Sequence, residues 1–200
     1  MKAKILISAM TVLAITACSQ SKKNSQESKP QKKETTTGTK PLKNVGFDIN
    51  SIPVSDKKLG DFPYISLPEG YDNVSDNPIS DSDKAYFWVG DHFEQPVGKI
   101  FFSRIKAKDG KTYSETELLK GIQEKIISLG GKKINESKVT SDISATDEAN
   151  KVKYVSGYGF IGYATTYTYL IRNADKNVWI QITPTDDGAS VGWIILEAKS

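Results

Sequence analysis

Cysteine is almost absent: the 200-residue chain has one, Cys18. No intramolecular disulfide can form, so the folded part must be held by its core alone. Histidine is equally scarce, with His92 alone. A single imidazole and a single thiol argue against a Cys/His zinc site. No G-x-S-x-G run supplies an activated serine, and a lone histidine needs a nucleophile and an orienting partner to act as a general base. An apolar run of about 20 residues, the length that spans a bilayer, is also missing; Ile5 to Ile15 falls short of it.

What is present is an asymmetric charge. The formal net charge is +3, with 26% charged and 38% hydrophobic residues. Residues 1–18 carry +2 (Lys2 and Lys4), residues 19–44 carry +5, and 45–200 carry −4. The basic character belongs to the N-terminal end. Nucleic-acid binding is therefore not expected, because it needs basic residues clustered on a folded surface.

Lys2 and Lys4, the apolar stretch to Ile15, and Ile15-Thr16-Ala17-Cys18 have the anatomy of an export leader. The Ile-Thr-Ala-Cys run resembles the lipobox of bacterial lipoproteins. That resemblance implies cleavage before Cys18, thioether diacylation of its sulfur and acylation of the new amino terminus. Three acyl chains suffice for stable anchoring, at about 0.8 kcal/mol per buried CH₂. Ser19, rather than Asp, follows the cysteine and implies sorting to an outer membrane. Residues 19–44 are rich in Ser, Lys, Gln and Thr and hold no aromatic residue. They cannot bury enough apolar surface to offset ordering entropy and are expected to form a tether reaching about 25–30 Å. The expected organisation is a leader over 1–17, a lipidated tether over 18–44 and one globular domain over 45–200.

Within that domain the spacing predicts α+β architecture: about six or seven mainly antiparallel strands, with one amphipathic helix over about 114–129 on one face. Ser114 and Glu117 have capping-box spacing. Leu118, Ile122, Ile126 and Leu129 then share one helical face, and Gly130-Gly131 ends the helix. Strands are expected over 62–67, 84–89, 98–107, 132–139, 163–171, 178–183 and 191–198. Residues 72–83 read as a loop, and 140–150 as polar with a helical turn. A small membrane β-barrel would require about eight regular strands with lipid-facing residues; the amphipathic helix argues against it.

Candidate sites are few. Gly157-Tyr-Gly159-Phe-Ile-Gly162 fits G-x-G-x-x-G, but a strand pattern follows where dinucleotide binding needs a helix, so it reads as a connection. Asp72, Asp76, Asp81 and Asp83 lack the spacing of a calcium loop. No cofactor, metal or catalytic residue is expected. Among the many aromatics, most read as core, and the segment 86–93 is expected to be an exposed contact loop using Trp88, Asp91, His92 and Phe93.

Asp48-Ile-Asn-Ser-Ile-Pro-Val, Leu59-Gly-Asp-Phe-Pro-Tyr-Ile, Leu67-Pro-Glu-Gly-Tyr71, Phe87-Trp-Val-Gly-Asp-His-Phe93, Leu129-Gly-Gly and Asp175-Lys-Asn-Val-Trp-Ile-Gln181 resemble the N-terminal region of OmpA-family envelope lipoproteins. In that family this region precedes a C-terminal peptidoglycan-binding domain, which a chain closing at Ser200 is expected to lack. No peptidoglycan-binding residue can be carried over. The resemblance implies an envelope location and a non-enzymatic module; with the sorting expected from Ser19, the leading expectation is an outer-membrane-anchored domain that binds another envelope protein or a cell-wall component. An immunity-type inhibitor and a cell-wall or polysaccharide-acting enzyme are the alternatives.

Overall fold

The computed structural model describes residues 46–74, 79–152 and 155–200. The expected leader, Cys18, Ser19 and the expected tether lie outside the described residues, as does Asp76.

The helix forms where the sequence places it. α1 (Glu115–Ser128) starts at Ser114, whose side chain accepts from the Glu117 N–H at 3.3 Å. The reciprocal half of the capping box is replaced. Glu117 takes Lys111 Nζ at 2.8 Å, and the Ser114 N–H donates to the Tyr71 hydroxyl at 3.2 Å. At the other end Gly130 adopts φ +84°, and the N–H groups of Gly130 and Gly131 close onto the carbonyls of Ile127 and Ile126. This is the Schellman pattern, in which a left-handed residue just past the helix satisfies its last carbonyls. Leu118, Ile122 and Ile126 are fully buried.

The helix lies on an antiparallel sheet of seven strands. β1 (Tyr71–Asn73) and β2 (Ser80–Lys84) share one edge of β5 (Val97–Ala107). From β5 the order runs through β9 (Ser190–Lys199), β8 (Lys176–Pro184) and β7 (Thr166–Arg172) to β6 (Lys132–Ser137). The sheet is open, with β6 at its far edge. Lys132 and Lys133 on that strand discourage pairing with another chain. A separate two-stranded ribbon joins β3 (Phe87–Trp88) to β4 (Phe93–Glu94).

Both faces of the sheet are covered. On one, Ile105, Tyr169, Ile171, Val178, Ile180, Ile182, Trp193 and Ile195 pack with the helix and with Ile65 and Tyr71. On the other, Ile100, Leu170, Trp179, Ile194 and Leu196 pack with Ala85 to Val89, Phe93 and, from the described residues of the segment 139–161, Val139, Ala149, Val152, Tyr158 and Ile161. That segment contains α2 (Ser141–Ser144) and α3 (Asp147–Val152). Strands covered on both sides lose polar alternation. β8 and β9 accordingly read as almost continuous apolar runs.

Three segments differ from expectation. Residues 62–67 form no strand: Tyr64 sits at φ +69° after a cis Phe62–Pro63 bond. Residues 72–83 carry parts of β1 and β2, because edge strands need little apolar surface when β5 supplies the hydrogen bonds. Residues 84–89 are not one strand: β2 ends at Lys84, and the chain then leaves the sheet to make the ribbon.

Candidate functional site

The aromatic segment 86–93 is not an exposed contact. Trp88 and Phe87 are fully buried, and Phe93 nearly so. Trp88 packs edge-on against Phe93, with centroids 5.4 Å apart. The ribbon pairs with no strand of the main sheet, so its buried backbone groups need other partners. Side chains of the sheet and of Tyr158 supply them. The Trp88 N–H donates to Gln181 Oε1 at 2.7 Å, and Thr168 Oγ1 donates to the Trp88 carbonyl at 2.6 Å. Trp88 Nε1 donates to Ser137 Oγ at 2.9 Å, and the Tyr86 N–H donates to the Tyr158 hydroxyl at 2.8 Å. Burial raises the Tyr158 hydroxyl above its ordinary pKa, which keeps it neutral. The buried polar residues of β7 and β8 thus fasten the second layer.

Asp91 and His92 do face solvent. His92 Nδ1 meets Asp91 at 2.6 Å and Nε2 meets Glu94 at 3.1 Å. Partial burial lowers its pKa, but hydrogen bonds and charge from Glu94 and Asp91 outweigh that and raise it. These groups satisfy one another at the ribbon's tip. Among the described residues no cluster of three or more His, Cys, Asp or Glu is placed to hold a metal.

The G-x-G-x-x-G run has a packing role. Ser156–Tyr158 is a single 3-10 turn, and Gly159 follows at φ +58°, ψ −144°, a region open to glycine alone. A Cβ on Gly159 would lie 2.1 Å from the Thr183 carbonyl oxygen, and one on Gly192 would lie 2.3 Å from Gly159 N. Glycines on both sides let the turn press its backbone onto β8 and β9. The next strand, β7, leaves no helix N-terminus for a phosphate.

This docking creates the candidate site. The Phe160 N–H donates to the Pro184 carbonyl at 2.8 Å, tying the loop to the end of β8. The N–H groups of Tyr163 and Ala164 return to the Phe160 carbonyl at 3.1 and 2.9 Å. That tight turn brings two rings three residues apart to one side. Phe160 and Tyr163 stack with centroids 4.4 Å apart and planes within 16°. They are 37% and 61% exposed, the only exposed Phe, Tyr or Trp among the described residues. The groove beside them, about 460 Å³, is lined by Arg104, Ser156, Thr185 and Asp186 as well as the two rings.

Charge in the groove wall is largely spoken for. The Arg104 guanidinium donates to Asp187, and to Ser190 Oγ at 2.6 Å. Burial pushes the Asp187 carboxyl up. Hydrogen bonds from Thr185, the Ala189 N–H and Ser190, together with the Arg104 charge, more than reverse this and hold it at about 2. Asp186 has no hydrogen bond or ion pair among the described residues.

A second, more polar cleft of about 610 Å³ lies at the other end of β5 and β9, beside Lys99, Lys176 and Glu197. There Glu197 accepts from the Tyr64 hydroxyl and from Lys176 Nζ at 3.3 Å. It has no aromatic wall.

Sequence reasoning missed Phe160 and Tyr163. The available signal was aromatics interleaved with glycines in Gly157-Tyr-Gly-Phe-Ile-Gly-Tyr163, at a period fitting neither helix nor strand. No helix among the described residues is long and apolar enough to cross a membrane. No protein-family model, curated protein or solved structure matches this chain.

Proposed function

We propose that this chain is an envelope lipoprotein, held on the outer membrane by acyl chains on Cys18, whose folded domain is a non-enzymatic binding module. The leader anatomy, the lipobox-like run and the resemblance to OmpA-family envelope lipoproteins support the address. One structural observation supports the binding role. The fold buries or half-buries every other described Phe, Tyr and Trp, yet leaves Phe160 and Tyr163 stacked at the mouth of a groove. Exposed, preorganised aromatics concentrate binding energy at little entropic cost. Because the aromatics of the 86–93 segment are buried, this groove is the better-supported contact face.

Photo-crosslinking tests the reading in living cells. A photoreactive phenylalanine analogue replacing Tyr163 in the full chain is expected to yield a discrete envelope adduct, and Phe160→Ala is expected to abolish it. An equal adduct from the exposed helix position Lys120, or none at 163, would sink the contact face. A Cys18→Ser chain that stays firmly membrane-bound would sink the anchor.

A further inference from the structure

The ligand class follows from what the groove leaves unsatisfied, and this inference rests on the groove being the contact face. The stacked pair forms a flat apolar slab, with Tyr163 the more open of its two rings. Arg104, the only cation lining the groove among the described residues, is paired with Asp187. Thr185 Oγ1 is engaged with Asp187 and Ser190. Among the described residues the groups left over are the Asp186 carboxylate and the Ser156 and Tyr163 hydroxyls, none with a side-chain hydrogen bond; Arg104 Nε also lacks a partner but is itself buried. A carboxylate is an acceptor only, with about four lone-pair sites.

The complement of that surface has one flat apolar face and several hydroxyl donors at its rim. An anion is disfavoured, because the guanidinium is already paired and Asp186 repels it. A cationic ligand would be better served by rings enclosing it as a cage, whereas these two lie face to face. A sugar ring in the chair form meets both demands: its axial C–H bonds pack on an aromatic face and its hydroxyls donate to carboxylate oxygens. The volume falls within the roughly 300–1,000 Å³ of small-molecule clefts. We infer that the Phe160–Tyr163 groove is a glycan-binding site, with the stacked rings as platform and Asp186 as the hydroxyl acceptor.

The test is saturation-transfer NMR on the full chain in detergent micelles, with cellobiose, maltose and N,N′-diacetylchitobiose as probes and choline as the cationic control. At least one disaccharide is expected to receive transfer, strongest at the C–H protons of one ring face, and choline none. Tyr163→Ala should weaken binding about tenfold or more, the equivalent of losing about 1.4 kcal/mol. Tyr163→Phe should retain it, and Asp186→Asn should weaken it without abolishing the ring-face signature. Tyr163 is largely exposed, so these variants are expected to keep the parent far-UV circular dichroism spectrum. Transfer to no disaccharide, transfer unchanged by Tyr163→Ala, or transfer to choline alone overturns the inference. If the crosslink at Tyr163 still forms under those outcomes, the contact-face reading survives and only the sugar assignment falls.

Discussion

Replacing Trp88 tests whether the β3–β4 ribbon is core. Its side chain is fully buried, packed on Phe93 and hydrogen-bonded through Nε1 to Ser137. Truncating a buried tryptophan to alanine removes its transfer free energy and leaves a cavity, together about 3–5 kcal/mol. Ser137 keeps a partner, since its hydroxyl also donates to Asn135 Oδ1 at 2.8 Å, so little is added for an orphaned group. Set against a typical domain stability of about 5–15 kcal/mol, that loss is about a fifth of the total or more. Urea unfolding, followed by the fluorescence of Trp179 and Trp193, should show the midpoint of Trp88→Ala falling with little change in slope. Trp88→Phe keeps most of the packing and loses the indole N–H, so about 1–2 kcal/mol is expected. A Trp88→Ala loss below about 1 kcal/mol, the range of ordinary surface positions, would refute the buried placement of the ribbon.

Gly159→Ala combines a forbidden backbone conformation with a Cβ driven into the Thr183 carbonyl. The conformational part alone costs about 1–3 kcal/mol. A substantial fall in Tm is expected by calorimetry, and a Tm within a degree or so of the parent would contradict the close approach of the turn to β8. The Asp187 clasp has a definite pH window. Its folded pKa lies below the unfolded value of about 3.9. Its stabilisation is therefore present above about pH 4 and is lost as pH falls toward 2. Asp187 is partly exposed, so the effect is modest after solvent screening. Hydrogen exchange at Thr185 and Ser190 should quicken over pH 4 to 2 relative to neighbouring amides, and Asp187→Asn should remove that step; a step centred near pH 6 would be inconsistent with this clasp.

Much of the architecture was legible because local signals agreed. Ser114, the 118/122/126/129 face and Gly130 define α1 by capping chemistry and period. The strands expected over 98–107, 132–139, 163–171, 178–183 and 191–198 form with their ends shifted by at most three residues, because β-branched and aromatic runs divided by turn residues mark them. Other segments were not legible, each for a physical reason. The polar run Ser80-Asp-Ser-Asp-Lys84 becomes a strand because it borrows its hydrogen bonds from β5, and its exposed side chains carry no burial pattern to read. Phe87 and Trp88 have the composition of a strand or of a contact loop. Only their docking on Gln181 and Thr168, some eighty to ninety residues away, makes them core. Hydrophobicity alone cannot separate a residue that is buried from one displayed for a partner.

The chain's own order of residues determined the separation of a basic stretch over 1–44 from an acidic remainder over 45–200, the lone cysteine at position 18, the helix, and the succession of strands. These are properties of local composition, capping and period, all readable within a few residues. Tertiary structure decided which aromatics are spent on the core and which are left exposed. It also decided that the glycine-rich run serves close packing, and that Phe160 and Tyr163 stack beside Arg104 and Asp186. Those outcomes depend on which backbone surfaces meet across the sheet, and exposure is a property of the assembled fold, carried by no single stretch of chain.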